Sequence, residues 1–371
     1  MGLPFLCLSG TPYEQGLAHG RVLRAEIARN LAIYIDRFER EAKLPRAEAL
    51  ARAASYAEAI GDLDPEYHAG MRGIAAGAGL ALDQIAALNV RYELLYYQFG
   101  QNATAVRQPD GCTAFAITPA ISAEGHLLIG ENWDWIPEVR GAIVRTDEAD
   151  GLTTLGFTEA GIFGAKIGLN SAGLGLLING MVATSDDWSR QTLPFHARCR
   201  AILRSRCLDD AVAVVTDTDR PCAANYVIAQ VPDRIVDIEA APDRVRCWPA
   251  EAGCLCHTNH FLDPHALGVV EPEIERGPDS QNRLARMRHL LGRDHPAGIR
   301  PLSRADLEAA LRDREGDPDG ICRYPDLTQP PEERYATVVS VIMDLHTQTL
   351  WVSDGPPDAN AYARFHLNPA A

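Results

Sequence analysis

The stretch Asp110-Gly111-Cys112-Thr113-Ala114-Phe115 sets a cysteine between a turn and an apolar strand. Pro109, Asp110 and Gly111 are turn formers, whereas Cys112 to Ile117 favours extended structure until Pro119 stops it. Gly111 has no side chain to shield its own carbonyl. Attack of the Cys112 thiol on that carbonyl would convert the peptide link into a thioester, and water would then release the preceding segment. The product would begin at Cys112, with a thiol and a free α-amine on one residue. An α-amine titrates near ~8 and a thiol near ~8.5, so the amine can serve as the thiol's own base at neutral pH. The competing reading of the same residues is a small, buried, inert cysteine after a turn.

The elements around this step divide at the cysteine. From Glu14 to about Tyr97 the pattern is helical, with Leu17, Val22, Leu23, Ile27, Leu31 and Ile35 recurring at three- and four-residue intervals. Further helical runs cover Ala47 to Ile60 and the segment after Leu82, where Asp83 is placed to cap. After Cys112 the period becomes two. Thr113–Thr118, His126–Trp133, Ala142–Thr146, Leu152–Phe157, Ala165–Leu169 and Gly173–Asn179 read as short strands of one meandering antiparallel sheet. Helices follow at Pro194–Ser205 and Leu208–Thr216, then strands at Tyr226–Gln230, Ile235–Ala240 and Val245–Trp248. Helical spacing returns at Ser280–Leu291 and Arg304–Arg312, with Ser303 and Asp306 as caps, before a last strand pair at Thr337–Leu345 and Thr349–Ser353. This order predicts an α+β fold of two sheets packed between helical layers.

Bulk properties narrow the partners. The chain has 371 residues, 46% hydrophobic and 23% charged, the profile of a globular protein with a large core. A net charge of -15 opposes binding to phosphate backbones and anionic membrane surfaces, and neither a nucleic-acid nor a membrane partner is expected. No stretch is long enough to span a bilayer and no signal segment stands out, so the expected location is the cytoplasm. The nine cysteines lack a framework spacing and read as reduced thiols. Cys254-Leu255-Cys256-His257 has no second half and reads as strand alternation rather than a metal site, so no metal is expected. No phosphate-cradling loop is visible, and Gly168 to Gly175 reads as a hairpin, so no bound cofactor is expected.

At the motif level the chain resembles the acyl-coenzyme A:6-aminopenicillanic-acid acyltransferase family of the N-terminal nucleophile hydrolases. The motifs are Asp110-Gly111-Cys112-Thr113, Glu131-Asn132-Trp133-Asp134-Trp135, Gly168-Leu169-Asn170-Ser171-Ala172-Gly173-Leu174 with Asn179, His257-Thr258-Asn259-His260-Phe261, and Cys322-Arg323. The resemblance implies a four-layer αββα sandwich with two antiparallel sheets and an N-terminal helical segment. It also implies a precursor that cuts itself between Gly111 and Cys112, leaving an associated α chain (1–111) and β chain (112–371). By the same resemblance Asp134 holds the Cys112 amine, Asn259 donates to the oxyanion, Asn179 helps bind the same oxygen, and Arg323 lowers the thiol pKa. Asn170 and Asn179 are also ordinary turn or edge residues. Arg283 is the rival to Arg323, and as a helix residue it reads as solvated or ion-paired.

The resulting expectation is an acyl-enzyme thioester that water or an amine resolves. Hydrolysis of a small N-acylated amine or amino acid is favoured, with acyl transfer from acyl-CoA, then a co-substrate, as the alternative. Two other classes stay open. Cys112 followed by His257 or His260 and Asn259 has the order of a papain-like protease, although Cys112 opens a strand rather than a helix. An uncut, non-catalytic binding protein is the second. Tyr96, Tyr97 and Phe99, just before the cut, either line an acyl pocket or fill a helix core.

Overall fold

The computed structural model describes residues 2–101, 111–272, 279–292 and 300–368, without the side chains of residues 97–101. It opens with a strand, β1 (Phe5–Leu8), followed by six helices: α1 (Pro12–Val22), α2 (Arg24–Arg40), α3 (Arg46–Leu63), α4 (Pro65–Ala78), α5 (Leu82–Asn89) and α6 (Arg91–Gln101). A capping box between Thr11 and Glu14 starts α1, and Asp64 caps α4 by accepting from the Tyr67 N–H (2.9 Å). Asp83 does not cap α5. The cap position is Ala81, whose N–H bonds the Gln84 side chain (3.0 Å), and Asp83 lies inside the first turn. Helices α1 and α4 meet through glycines: a Cβ on Gly16, Gly20, Gly73 or Gly77 would collide with the backbone of the other helix.

The middle of the chain supplies β2 (Thr113–Ile117), β3 (Leu128–Trp135), β4 (Gly141–Asp147), β5 (Thr153–Glu159), β6 (Ile167–Asn170) and β7 (Leu174–Gly180). Then come α7 (Phe195–Leu203), α8 (Leu208–Thr216), β8 (Ala224–Gln230), β9 (Arg234–Ala241), β10 (Arg244–Pro249) and β11 (Cys254–His257). The last part holds α9 (Pro264–Leu267), α10 (Asp279–Leu290), α11 (Arg304–Leu311), β12 (Ala336–Asp344), β13 (Thr349–Asp354) and β14 (Ala363–His366).

The strands form two sheets, one ordered β1-β4-β5-β6-β7-β8-β9-β10 and the other β11-β2-β3-β12-β13-β14. The six strands expected to form one meander are therefore split: β2 and β3 belong to the second sheet, β4 to β7 to the first. Alternation reports that a strand has two unlike faces, not which sheet it joins, and the chain changes sheets between Trp135 and Gly141. All neighbouring pairs are antiparallel except β1 with β4, which run parallel with Phe5 beside Ile143. The segment before the cysteine thus contributes a strand to the first sheet as well as its helices.

The sheets pack face to face where β2 and β3 meet β7. Helices α7 and α8 cover the first sheet, and α10 and α11 cover the second, giving the four layers αββα. Strand β2 is buried along its whole length, as its run Thr-Ala-Phe-Ala-Ile requires. Cys254 and Cys256 lie on β11 among Phe115, Leu284 and Leu307 in the apolar core under α10 and α11. Among the described residues, no helix is long and apolar enough to cross a membrane.

Candidate active site

Cys112 stands one residue before β2, at the point where the sheets face each other, and is fully buried. Thr113 pairs with Asn132 at the start of the β2–β3 ladder, and the same register carried one residue further points Cys112 toward Trp133 on β3. Gly111 is held where only a glycine fits. A Cβ there would sit 2.6 Å from Arg323 Nη1 and 2.9 Å from Asp134 Oδ2. Those atoms belong to buried side chains fixed in ion pairs, which cannot swing aside freely.

Asp134 is a fully buried residue of β3. Its Oδ1 accepts from the Thr337 hydroxyl (2.7 Å), and Thr337 in turn accepts from the Arg323 N–H (3.0 Å). Thr337 stands opposite Asp134 on β12. One threonine thereby fixes both the aspartate and the backbone that carries the arginine. The Arg323 guanidinium pairs with Asp279 (2.9 Å), Asp319 (3.4 Å) and Asp134 (3.9 Å). Burial alone would lower its pKa, but these three carboxylates outweigh that and hold it above its usual value.

The helix α10 brings in Arg283, which is neither solvated nor merely ion-paired. It is only 2% exposed, and its Nη1 donates to the Cys112 carbonyl (2.6 Å) and to the Thr113 hydroxyl (3.1 Å). Its Nη2 donates to Asn259 Oδ1 (3.0 Å). Burial, with Arg323 close by, pulls its pKa below the usual value although Asp279 opposes this. Because a guanidinium can only donate, it fixes the Asn259 amide with oxygen toward Arg283 and nitrogen away. That nitrogen donates to the Gly180 carbonyl (3.0 Å), which leaves its second N–H for another acceptor. Both arginines weighed from sequence therefore lie at the Gly111–Cys112 step. Arg323 faces Gly111 and Asp134, and Arg283 faces Cys112 and Asn259.

The two asparagines of the β6–β7 region contrast sharply. Asn170 spends its amide on the Leu203 and Ser205 carbonyls (2.8 Å each) and on the Ala172 and Leu174 N–H groups, so it holds the hairpin. Asn179 is the next-to-last residue of β7, fully buried, and neither of its amide atoms has a hydrogen-bond partner among the described residues. It adjoins Gly180, the acceptor of Asn259. An unsatisfied buried amide costs about 1–3 kcal/mol, so a ligand atom reaching it would recover that amount.

His257 and His260 are turned to other tasks. His257 bonds Glu239 (3.1 Å) and the Thr258 carbonyl (2.7 Å) through its two ring nitrogens. Burial lowers its pKa, but Asp237 and Glu239 prevail and raise it. His260 Nδ1 meets the Ser280 hydroxyl (2.7 Å), and burial with His257 nearby pushes its pKa down to about 4. The Ser280 hydroxyl also accepts from the Asn259 N–H (2.8 Å).

Sequence reasoning missed a second charged cluster beside the cysteine. Lys166, immediately before β6, lies with its ammonium 3.1 Å from the centroid of the Trp133 ring. It bonds Glu159 (2.7 Å), which also pairs with Arg91 and accepts from Tyr34. All four residues are buried. The available signal was a single lysine in the otherwise apolar run Ala165-Lys166-Ile167. Tyr96 packs into the helix core, stacked on Tyr92 (3.8 Å between ring centres). The side chains of Tyr97 and Phe99, and the turn residues Pro109 and Asp110, lie outside the described residues.

Layers, sheet order and this cluster of cysteine, aspartate, asparagines and arginines define an N-terminal nucleophile hydrolase fold. The chain belongs to the acyl-coenzyme A:6-aminopenicillanic acid acyl-transferase family, whose model matches residues 122–359. That stretch holds Asp134, Asn179, Asn259 and Arg323 and begins downstream of Cys112. A relative, the acyl-coenzyme A:6-aminopenicillanic-acid-acyltransferase 40 kDa form of Emericella nidulans, is 28% identical over 340 residues, covering 90% of this chain and 88% of that protein. Among solved structures, a Caenorhabditis elegans N-acylethanolamine-hydrolyzing acid amidase ortholog matches with a TM-score of 0.44 and 15% identity, covering 63% of this chain and 93% of its own. Penicillin V acylase from Agrobacterium tumefaciens matches with a TM-score of 0.44 and 12% identity, covering 66% and 83%. The family model and the Emericella nidulans relative together place the chain with the acyltransferases.

Proposed function

We propose that the chain is a precursor that cuts itself between Gly111 and Cys112 and then works as a cysteine amidohydrolase. The observation that carries this reading is the buried Gly111–Cys112 step, enclosed by Asp134 and Arg323 on one side and by Arg283 and Asn259 on the other. After the cut the Cys112 α-amine would take the thiol proton, steadied by Asp134, and the thiolate would attack the carbonyl of a small N-acylated amine or amino acid. The second N–H of Asn259 and the Asn179 amide would meet the oxyanion. The amine would protonate the leaving group, and water would release the acyl chain from the thioester. No bound cofactor enters this cycle, and residues 1–111 and 112–371 would stay together as the two mature chains. A cleft of about 810 Å³ lined by Asp279, Asn282, Arg283, Arg286 and Asp319 offers a way in. The cytoplasm remains the proposed location.

The similarity to the Emericella nidulans enzyme favours a second reading, transfer of the acyl group from acyl-CoA to an amine of the 6-aminopenicillanic type. Mass spectrometry of purified wild type beside Cys112→Ala tests the shared step. Two fragments dividing at Gly111 are expected in the first and one full-length species in the second. A fully active wild type that stays uncut would overturn the proposal. Partition of a thioester donor between water and an added amine then separates hydrolysis from transfer.

A further inference from the structure

Self-cutting poses a problem that the mature enzyme does not have. Before the cut the Cys112 nitrogen is a peptide nitrogen, so the α-amine that would deprotonate the thiol does not yet exist. Another base must serve the first step. Arg283 and Arg323 cannot, because guanidinium groups keep their protons. Asp134 is engaged by the Thr337 hydroxyl and by Arg323, which commits it to holding its side of the step.

Lys166 meets the requirement by position. It rests on the ring of Trp133, toward which the β2–β3 register points Cys112 one residue beyond the Thr113–Asn132 pair, and its ammonium is close enough to the Cys112 thiol for the two to interact electrostatically. The charge balance around it leaves its proton the easiest to lose. Arg91 from α6 and Lys166 share the single carboxylate of Glu159 on β5. From α2, Tyr34 bonds the same carboxylate. From α7, His196 bonds the Asn89 carbonyl (3.0 Å), and burial with Arg91 nearby holds its pKa well below the usual value, so it is neutral; burial also raises the Cys199 thiol. From β3, Glu131 accepts from the Ile178 N–H (3.0 Å). Of the two cations on Glu159 only the lysine can let its proton go. Burial, with Arg91 adding to it, draws Lys166 down to about 8 although Glu159 opposes the shift.

We propose that Lys166 is the base for the self-cut, accepting the Cys112 thiol proton in the intact chain and returning it to the departing Cys112 nitrogen. This rests on the self-processing reading above. The thiolate sulfur bonds to the Gly111 carbonyl carbon, and the adduct collapses by breaking the bond from that carbon to the Cys112 nitrogen. That nitrogen takes its proton from the Lys166 ammonium and becomes the free α-amine. Water then adds to the thioester, releasing the Gly111 carboxylate and regenerating the thiol. From that point the α-amine replaces Lys166 as base, so the lysine serves once per molecule.

The test follows newly synthesised full-length chain in a cell-free system, measuring the cut by mass at pH 6 to 9. Wild type should cut faster as pH rises toward about 8 and then level off. Lys166→Arg keeps the cation but not the exchangeable proton, and Lys166→Ala removes both. Each should cut at least about 100-fold more slowly, the low end of what a positioned proton carrier contributes. Added methylamine or ethylamine should restore cutting to Lys166→Ala. Those Lys166→Arg molecules that do become cut should turn over an amide substrate at the wild-type rate per cut molecule. Cutting of Lys166→Arg at the wild-type rate overturns the proposal while leaving self-processing intact. So does an uncut Lys166→Ala that no amine restores, or a loss of turnover per cut molecule as large as the loss of cutting. Wild type that never cuts defeats the underlying reading instead.

Discussion

Two buried cation clusters border the Gly111–Cys112 step, and they differ in what their protons can do. On the second sheet's side, Arg283 and Arg323 are met by Asp134, Asp279 and Asp319, and they reach the Cys112 carbonyl and the Asn259 amide. Both are guanidinium groups, so this cluster is a fixed field whose donors are aimed before any substrate arrives. On the first sheet's side, Arg91 and Lys166 share Glu159. One of those two cations is an ammonium desolvated enough to titrate near neutrality. The first cluster can hold geometry and charge; the second can also exchange a proton. An arginine–lysine swap between them would carry the same formal charge and lose both properties.

The largest expected effect comes from breaking the fixed side. Arg283→Met would leave the Cys112 carbonyl and Asn259 Oδ1 without their donor and weaken the support of Asp279. Removing one partner of a buried charged network costs about 3–5 kcal/mol, and loss of an aimed oxyanion donor costs about 10²–10³ in kcat. The variant should therefore unfold at clearly lower denaturant and show at least about 100-fold lower turnover per folded molecule. Arg283→Lys should recover charge but not the fork that spans two acceptors, and should remain impaired. Wild-type turnover in Arg283→Met would reduce the arginine to scaffolding and erase the distinction between the clusters.

A sharper probe compares the two asparagines on either side of the β6–β7 hairpin. Asn170→Ala removes a residue whose amide serves four backbone groups, and should lower stability by about 2–3 kcal/mol with turnover per folded molecule nearly unchanged. Asn179→Ala removes an amide without a partner among the described residues, and should leave stability unchanged or raised while lowering kcat by about 100-fold. Urea unfolding and steady-state rates on the same samples read both quantities. If the two variants behave alike, the unspent bonding capacity of Asn179 has no bearing on the reaction.

These contrasts also mark how far the sequence could be read. The strand that opens just after Cys112 was legible because an apolar run ended by a proline is a local pattern, and strand boundaries from β2 to β9 came out close for the same reason. Which sheet each strand joins was not legible, since β3 and β4 adjoin in sequence yet sit in different sheets. Asn170 and Asn179 look alike as residues near turns, and only the packing of α7 behind the hairpin shows that one is fully bonded. Arg283 was misjudged because helical spacing cannot say that one face of α10 meets a residue 171 positions earlier. Lys166 was silent because its meaning lies in Glu159, Arg91 and Trp133, three side chains from three separate elements. The glycine contact of α1 with α4 was similarly hidden, each helix showing only half of it.

The smallest effect tests whether the proton-exchanging side is set apart by desolvation. Glu93 lies on α6, one helical half-turn past Arg91, and accepts from the Phe195 N–H at the start of α7 (2.6 Å). Burial raises its pKa from 4.5 to about 7, against the pull of that hydrogen bond and of Arg91. The folded state therefore holds this proton more tightly than the unfolded chain does. Its contribution is fully present below about pH 4.5, is lost as pH rises through the window from 4.5 to about 7, and is absent above it. Glu93→Gln mimics the protonated form at every pH. It should match wild type near pH 4.5 and be more stable near pH 8 by up to about 3 kcal/mol, the free energy that corresponds to such a displacement. Thermal unfolding of both proteins across pH 4.5 to 8 measures the difference. A constant offset between the two curves would mean that Glu93 is ionised throughout and that the helical side is wetter than its packing implies. Lys166 would then lose the desolvation on which its exchangeable proton depends.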